Sequence, residues 1–187
     1  MQNKAPFRID TSRLTLAKPR PDDATAIFER YASDPDVTRY LGWPRHRSLA
    51  ETEAFLAFSD QEWGRWPAGP YLIWSRDDGR LLGGTGFGFQ AATDAVITGY
   101  VLAKDAWGNG YATEALSAVV RVGSDIGVRR LTALVHPDHV ASVHVLEKCG
   151  FVRKSPQQTE LPNLAPGVLQ SVDRYERVLF ASATHHG

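Results

Sequence analysis

Between Tyr100 and Ala115 an apolar, strand-like run, Tyr100-Val101-Leu102, passes through Trp107-Gly108-Asn109-Gly110 into Tyr111-Ala112-Thr113-Glu114-Ala115, where a helical spacing begins. Residues of these types in this order can hold a pyrophosphate. Two glycines let successive backbone N–H groups converge on one point, and the positive end of the following helix adds to their attraction for an anion. The helix rests on period: Ala112, Ala115, Leu116, Val119 and Val122 share one face, and Gly123 and Gly127 mark its end. A surface turn ahead of an amphipathic helix would use the same residues, so the surrounding sequence has to decide.

Two other phosphate loops are excluded. A P-loop ends in Gly-Lys-Ser/Thr, whereas Gly110 is followed by Tyr111 and Ala112. A dinucleotide fingerprint needs a third small residue where Thr113 stands and an acidic residue about 20 positions on. Gly83-Gly84-Thr85-Gly86-Phe87-Gly88 reads as a glycine-punctuated strand with a bulge. His136, His139 and His144 cluster in sequence, but no paired cysteines accompany them and no metal site is expected.

The elements that must position these residues follow from pattern. Alternation around Leu14 and Leu16 predicts a first strand ending at Pro19. Pro21-Asp22-Asp23 opens a helix through Tyr31, Ser33-Asp34-Pro35 restarts a short one, and Ser48 with Glu51 forms a capping box for another. Strands are expected at 71–75, 81–90, 96–102, 131–136 and 173–180, with a hairpin turn at Asp77-Asp78-Gly79 and a helix over 142–149. Pro156, Pro162 and Pro166 predict that most of 155–167 is irregular.

Bulk properties are those of a compact domain, expected in the cytoplasm. The 187 residues are one domain's length, read as a single domain over 1–187 with a core at 10–180 and a short C-terminal tail in which His185-His186 are solvated. Lys plus Arg and Asp plus Glu both count 21, which speaks against nucleic acid or an anionic membrane as partner. No apolar run approaches a membrane span. The single cysteine, Cys149, forms no internal disulfide and reads as buried packing.

Trp107-Gly108-Asn109-Gly110-Tyr111-Ala112 resembles the Q/R-x-x-G-x-G/A acetyl-CoA motif of the GNAT N-acetyltransferases, with Trp107 in place of Gln or Arg. His136-Pro137-Asp138-His139-Val140-Ala141-Ser142, followed by Leu146-Glu147-Lys148-Cys149-Gly150-Phe151, resembles the family's H-P-x-N-x-x-S…L-E-K-x-G-F segment. Thr11-Ser12-Arg13-Leu14-Thr15-Leu16 and Val37-Thr38-Arg39-Tyr40-Leu41-Gly42-Trp43 point to the RimJ/RimL-like branch, which acetylates ribosomal-protein N-termini and other amines.

The resemblance implies an α+β fold: about seven strands in a mixed, mostly antiparallel sheet, splayed between the fourth and fifth, with about four helices. It implies that acetyl-CoA lies as an added strand against Tyr100, Val101 and Leu102, its pyrophosphate on amides from Gly108 to Thr113. Trp107, His139, Ser142 and Lys148 complete the implied donor site. A backbone N–H near Leu102 would polarise the carbonyl, and Ser142 would protonate the leaving sulfur, cap its helix, or do both. Trp107 is expected to cost the loop one polar side chain.

Three residues depart from the family pattern: His139 replaces an Asn on the CoA arm, Leu146 a tyrosine acid, and Ile97 a Glu before Gly-Tyr. Asp94, His144, Glu160 or a water chain could substitute as base, and a near-neutral amine needs none. Trp43, Trp63, Trp66 and Trp74 either wall the acceptor site or pack the core, with core packing expected for at least two. The acceptor stays open among a protein N-terminus, a small-molecule amine and an antibiotic, and the chain is a monomer or homodimer. The alternatives to a transferase are a CoA-binding module without catalysis and a scaffold with a GNAT shell.

Overall fold

The computed structural model describes residues 3–91, 93 and 95–179. Alternation along the strands sorts the apolar residues onto two faces of one sheet. It has eight strands in the order β1-β2-β3-β4-β5-β6-β8-β7: β1 (Arg8–Asp10), β2 (Leu14–Ala17), β3 (Pro70–Ser75), β4 (Leu81–Gly88), β5 (Val96–Leu102), β6 (Arg130–Val135), β7 (Val152–Glu160) and β8 (Leu169–Val178). Five helices accompany it, α1 (Ala24–Ile27), α2 (Pro35–Thr38), α3 (Leu49–Arg65), α4 (Tyr111–Asp125) and α5 (Val140–Lys148). This is the expected α+β architecture with a mixed sheet. Among the described residues no helix is long and apolar enough to cross a membrane.

The apolar face of α4 builds the larger core, where Ala115, Leu116 and Val119 meet Leu14, Leu16, Tyr71, Ile73, Leu82 and Leu131. On the other face Ala24 and Ile27 of α1 and Leu56 of α3 pack with Leu72, Leu81 and Ala103. Leu72 alternates with Tyr71 and Ile73, so the two clusters lie on opposite sides of β3. The capping box forms as read, with Ser48 N–H donating to the Glu51 carboxylate at the start of α3. The helix opened by Pro21 tightens at its start and ends in a π-turn over Phe28–Ala32.

Two strands exceed the expected set. Arg8–Asp10 adds β1 at one edge, so the fourth and fifth expected strands are β5 and β6. At the other edge the expectation of irregular chain from 155 is overturned: β7 continues to Glu160, and the irregular part begins at Leu161. Pro156 is tolerated because β7 pairs with β8 alone and its register shifts between Arg153 and Pro156, so the missing N–H is not required by a second neighbour. The glycine-rich β4 skips a position against β3, with Ile73 opposite Gly83 and Trp74 opposite Leu81.

The splay falls where expected. β5 and β6 are parallel and paired at Val96–Leu131 and Ile97–Thr132, with no pairs beyond, while β5 stays paired with β4 from Ile97 to Leu102. Ala103 N–H donates to Leu82 O at 2.7 Å. Alternation then turns the backbone groups of Leu102 and Tyr100 away from β4 and into the gap.

Candidate functional site

The loop from Ala106 to Gly110 commits most of its carbonyls and leaves the amides from Gly108 on free. Asn109 Nδ2 donates to the carbonyls of Ala106 (3.3 Å) and Trp107 (2.9 Å), and an Arg13 guanidinium nitrogen donates to the Asn109 carbonyl (2.8 Å). Among the described residues, the N–H groups from Gly108 to Thr113 meet no acceptor. Gly108 and Gly110 sit at φ 74° and 76°, the left-handed region that turns these amides outward at little cost only in glycine. Gly110 is the N-cap of α4, so the helix adds its positive end.

An unforeseen clamp holds this loop against the strand start. The Glu114 carboxylate, with its side chain 18 % exposed, accepts from Thr11 Oγ1 (2.7 Å), Arg13 N–H (2.8 Å) and Arg13 Nε (2.7 Å). Arg13 also lies 4.6 Å over the Tyr111 ring. Burial disfavours the carboxylate charge, but the bonds from Thr11 and Arg13 outweigh it and hold Glu114 below the usual carboxylate range. Arg13 in turn offsets the negative charge that Glu114 brings near an anion cradle. Glu114→Gln weakens these charge-assisted bonds, and denaturant unfolding is expected to show a loss of about 1–3 kcal/mol.

Trp107 corrects one expectation. Its indole N–H donates to the Leu102 carbonyl at 3.0 Å, across the mouth of the gap. The loop thus keeps a polar side chain, and of Leu102's two gap-facing groups the N–H remains. Tyr100 and Leu102 present the unpaired backbone groups, with Val101 between them turned to β4, and the Tyr100 side chain crosses toward α5, where its hydroxyl lies 2.8 Å from Ser142 Oγ and donates to Ser142 O at 2.9 Å. Burial pushes the Tyr100 phenol up, so it stays protonated. The capping alternative for Ser142 is not realised: the N-cap of α5 is His139, and the Ser142 hydroxyl is committed to Tyr100. Sequence reasoning assigned Tyr100 through its backbone and missed this pair.

The remaining predicted residues divide. Ala112 and Thr113 stand in the first turn of α4, and Lys148 ends α5, exposed and without an ion pair among the described residues. Buried Cys149 brings that end to α4, its Sγ 3.5 Å from both Thr113 O and Ser117 Oγ. Burial raises its thiol, which is packing as expected. Of the proposed bases, Glu160 accepts from Gly167 N–H at 3.0 Å and closes the β7–β8 turn, His144 is exposed on α5, and Asp94 lies outside the described residues, as do Phe180, His185 and His186. Ile97 is 38 % exposed on β5.

The tryptophans separate likewise. Trp63 is core, 4 % exposed, with its indole N–H on the Pro70 carbonyl; Trp66 stacks on Phe89; Trp43 and Trp74 pack against the smaller cluster. Asn163 ties the chain after α2, donating to the Thr38 and Trp43 carbonyls (2.8 and 2.9 Å) and accepting from Arg45 N–H (2.8 Å). A concavity of about 860 Å³ lies against β1–β3, away from the splay, and two of the cations that line it are paired, Arg8 with Asp10 and Lys18 with Asp60.

The two histidines of the second motif do not converge on a metal. Each stacks on Tyr40, centroids 5.1 Å apart, and among the described residues no group of three or more His, Cys, Asp or Glu could hold one. Burial lowers His139, helped by His136, and burial lowers His46. Both groups therefore bind protons more readily unfolded than folded. As pH falls through about 6.5, the unfolded chain protonates first and stability drops, until the folded histidines also protonate. Thermal unfolding between pH 7.5 and 5 is expected to show this decline, and its absence in a double His46→Gln, His139→Asn variant assigns it.

The acetyltransferase (GNAT) domain matches residues 13–152. An uncharacterized N-acetyltransferase, YoaA of Bacillus subtilis (strain 168), is 34 % identical over 153 residues, covering 78 % of this chain and 83 % of that protein. Among solved structures, RimL, the ribosomal L7/L12 alpha-N-protein acetyltransferase in complex with coenzyme A, superposes with a TM-score of 0.81 at 21 % identity, over 94 % of this chain and 99 % of that one. The microcin C7 self-immunity acetyltransferase MccE, in complex with acetyl-CoA and AMP, gives 0.79 at 21 %, over 90 % and 94 %. The matched domain spans the free amides, the splay and the Tyr100–Ser142 pair, and the chain belongs to the GNAT family of acetyl-CoA-dependent acyltransferases.

Proposed function

We propose that this chain moves the acetyl group of acetyl-CoA directly to a primary amine, with the donor in the splay and the acceptor on the face of β5 toward α2. The observation that carries the donor side is the run of unpartnered amides from Gly108 to Thr113 beside the unpaired edge of β5. The amides and the α4 terminus hold the diphosphate, and the Leu102 N–H receives the growing charge on the carbonyl oxygen. Ser142, hydrogen-bonded to Tyr100, gives a proton to the departing sulfur. The acceptor is a protein N-terminus or a small amine; RimL's own description supports the first, and the open space beside Gly99 accommodates either.

A second reading, a CoA-binding module without turnover, is favoured by the apolar Ile97 where a carboxylate would stand. Thiol release from acetyl-CoA, followed across short peptides with free α-amino groups and a set of alkyl- and arylalkylamines, separates the two. Amine-dependent release supports the transferase. Tight acetyl-CoA binding with no release on any amine supports the module.

A further inference from the structure

The acceptor-side face of β5 offers nothing to take a proton. Ile97 is apolar, Gly99 has open space where a side chain would stand, and Val101 packs into the smaller cluster. An acceptor amine arrives mostly as an ammonium at neutral pH and has no lone pair until it loses a proton. Across the gap, His139 and Ser142 stand three residues apart at the start of α5, half-buried, while Val140 and Ala141 between them are exposed. The His139 carbonyl accepts from Ser142 N–H at 3.0 Å, which holds the two residues together at the helix start, and Ser142 reaches Tyr100 of β5.

The His139 ring is fixed and uncommitted. It stacks on Tyr40, which follows α2 on the acceptor side, and among the described residues neither ring nitrogen has a hydrogen-bond partner. Its neighbour His136 differs: Nδ1 accepts from Asp138 N–H at 3.1 Å and lies 3.9 Å from the Asp138 carboxylate. We propose that His139 is the base of this enzyme, taking the proton from the acceptor ammonium at the boundary between the donor gap and the Tyr40 wall. The inference rests on the transferase reading above.

The surroundings keep the imidazole neutral and ready. The groups facing it are His136 from the end of β6, the Tyr40 phenol, the Arg39 guanidinium 5.3 Å over that phenol, and the positive end of α5; the Asp138 carboxylate is turned to His136 and solvent. Burial, then His136, lowers its pKa below the ordinary histidine value. The ammonium gives one proton to His139, and the freed lone pair forms the C–N bond as the C–S bond breaks. The sulfur takes the Ser142 hydroxyl proton, Ser142 regains one from the new amide nitrogen through water, and the imidazolium releases its own to solvent. The sum is ammonium plus thioester giving amide, thiol and one proton.

His139→Asn is the test, since Asn is a favourable N-cap and keeps the helix start. With an acceptor of pKa above about 9, kcat at pH 7 is expected to fall about 100-fold, while acetyl-CoA affinity by calorimetry stays within about threefold (under 1 kcal/mol), because Asn is the side chain the family pattern places on the CoA arm. The loss should shrink as pH rises through the acceptor's own pKa, where the amine arrives deprotonated. In the free protein an imidazole NMR resonance absent from the variant should titrate below about 6.5. An equal fractional loss at every pH, an unchanged kcat, or a loss explained by acetyl-CoA affinity overturns the proposal while the wild-type activity stands. A wild-type protein that acetylates no amine overturns the transferase reading and this one with it.

Discussion

Gly110→Asp should abolish acetyl-CoA binding at micromolar concentrations while the protein stays folded. Gly110 has room for a side chain, since the nearest heavy atom to an added Cβ is an Arg13 guanidinium nitrogen at 3.5 Å. The structural cost is the left-handed backbone, φ 76°, at about 1 kcal/mol. That is a fall of roughly 2–4 °C in melting temperature for a chain of this size. The functional cost is larger, because a carboxylate would stand beside the free amides of Gly108 to Thr113, satisfy some of them and repel a diphosphate. A loss of at least about 100-fold in affinity, near 2.7 kcal/mol, is expected by calorimetry. Unchanged affinity in the folded variant would place the donor elsewhere.

The second large effect concerns the pair across the gap. Ser142→Ala and Tyr100→Phe each remove one hydroxyl from the 2.8 Å contact that joins α5 to β5. If the two act as one proton-delivering unit, each single variant lowers kcat about 100-fold, and the double variant lowers it by nearly the same factor. The KM for acetyl-CoA should change little, since the diphosphate cradle is untouched. Losses that multiply in the double variant would show two independent roles. Full activity in Ser142→Ala would remove Ser142 from the chemistry.

The parts of the candidate site whose geometry is set by local chain were legible in the sequence. Gly108 and Gly110 before an α4 of clear period mark the left-handed turn and the helix start, because turn chemistry and helix spacing act over a few residues. The splay position came from the family resemblance, laid over strands that the pattern had placed. What escaped was made by distant segments. The Arg13–Glu114 clamp joins residues 101 apart, Tyr40 meets His136 and His139 from the far side of the sheet, and nothing near either partner announces the contact. Trp107 was read by comparison with a Gln or Arg, and its indole N–H found the Leu102 carbonyl instead. Pro156 read as a breaker because proline is excluded from strands with two neighbours, a rule that an edge strand escapes.

The central claim is that the amides of Gly108–Thr113 and the open edge of β5 form one acetyl-CoA site, and calorimetric titration of the wild-type protein tests it most directly. Acetyl-CoA should bind at micromolar concentrations with one site per chain, and ATP and NAD at least about tenfold (1.4 kcal/mol) more weakly, since neither has an arm to lie along β5. No binding of acetyl-CoA, or equal affinity for all three, would contradict it.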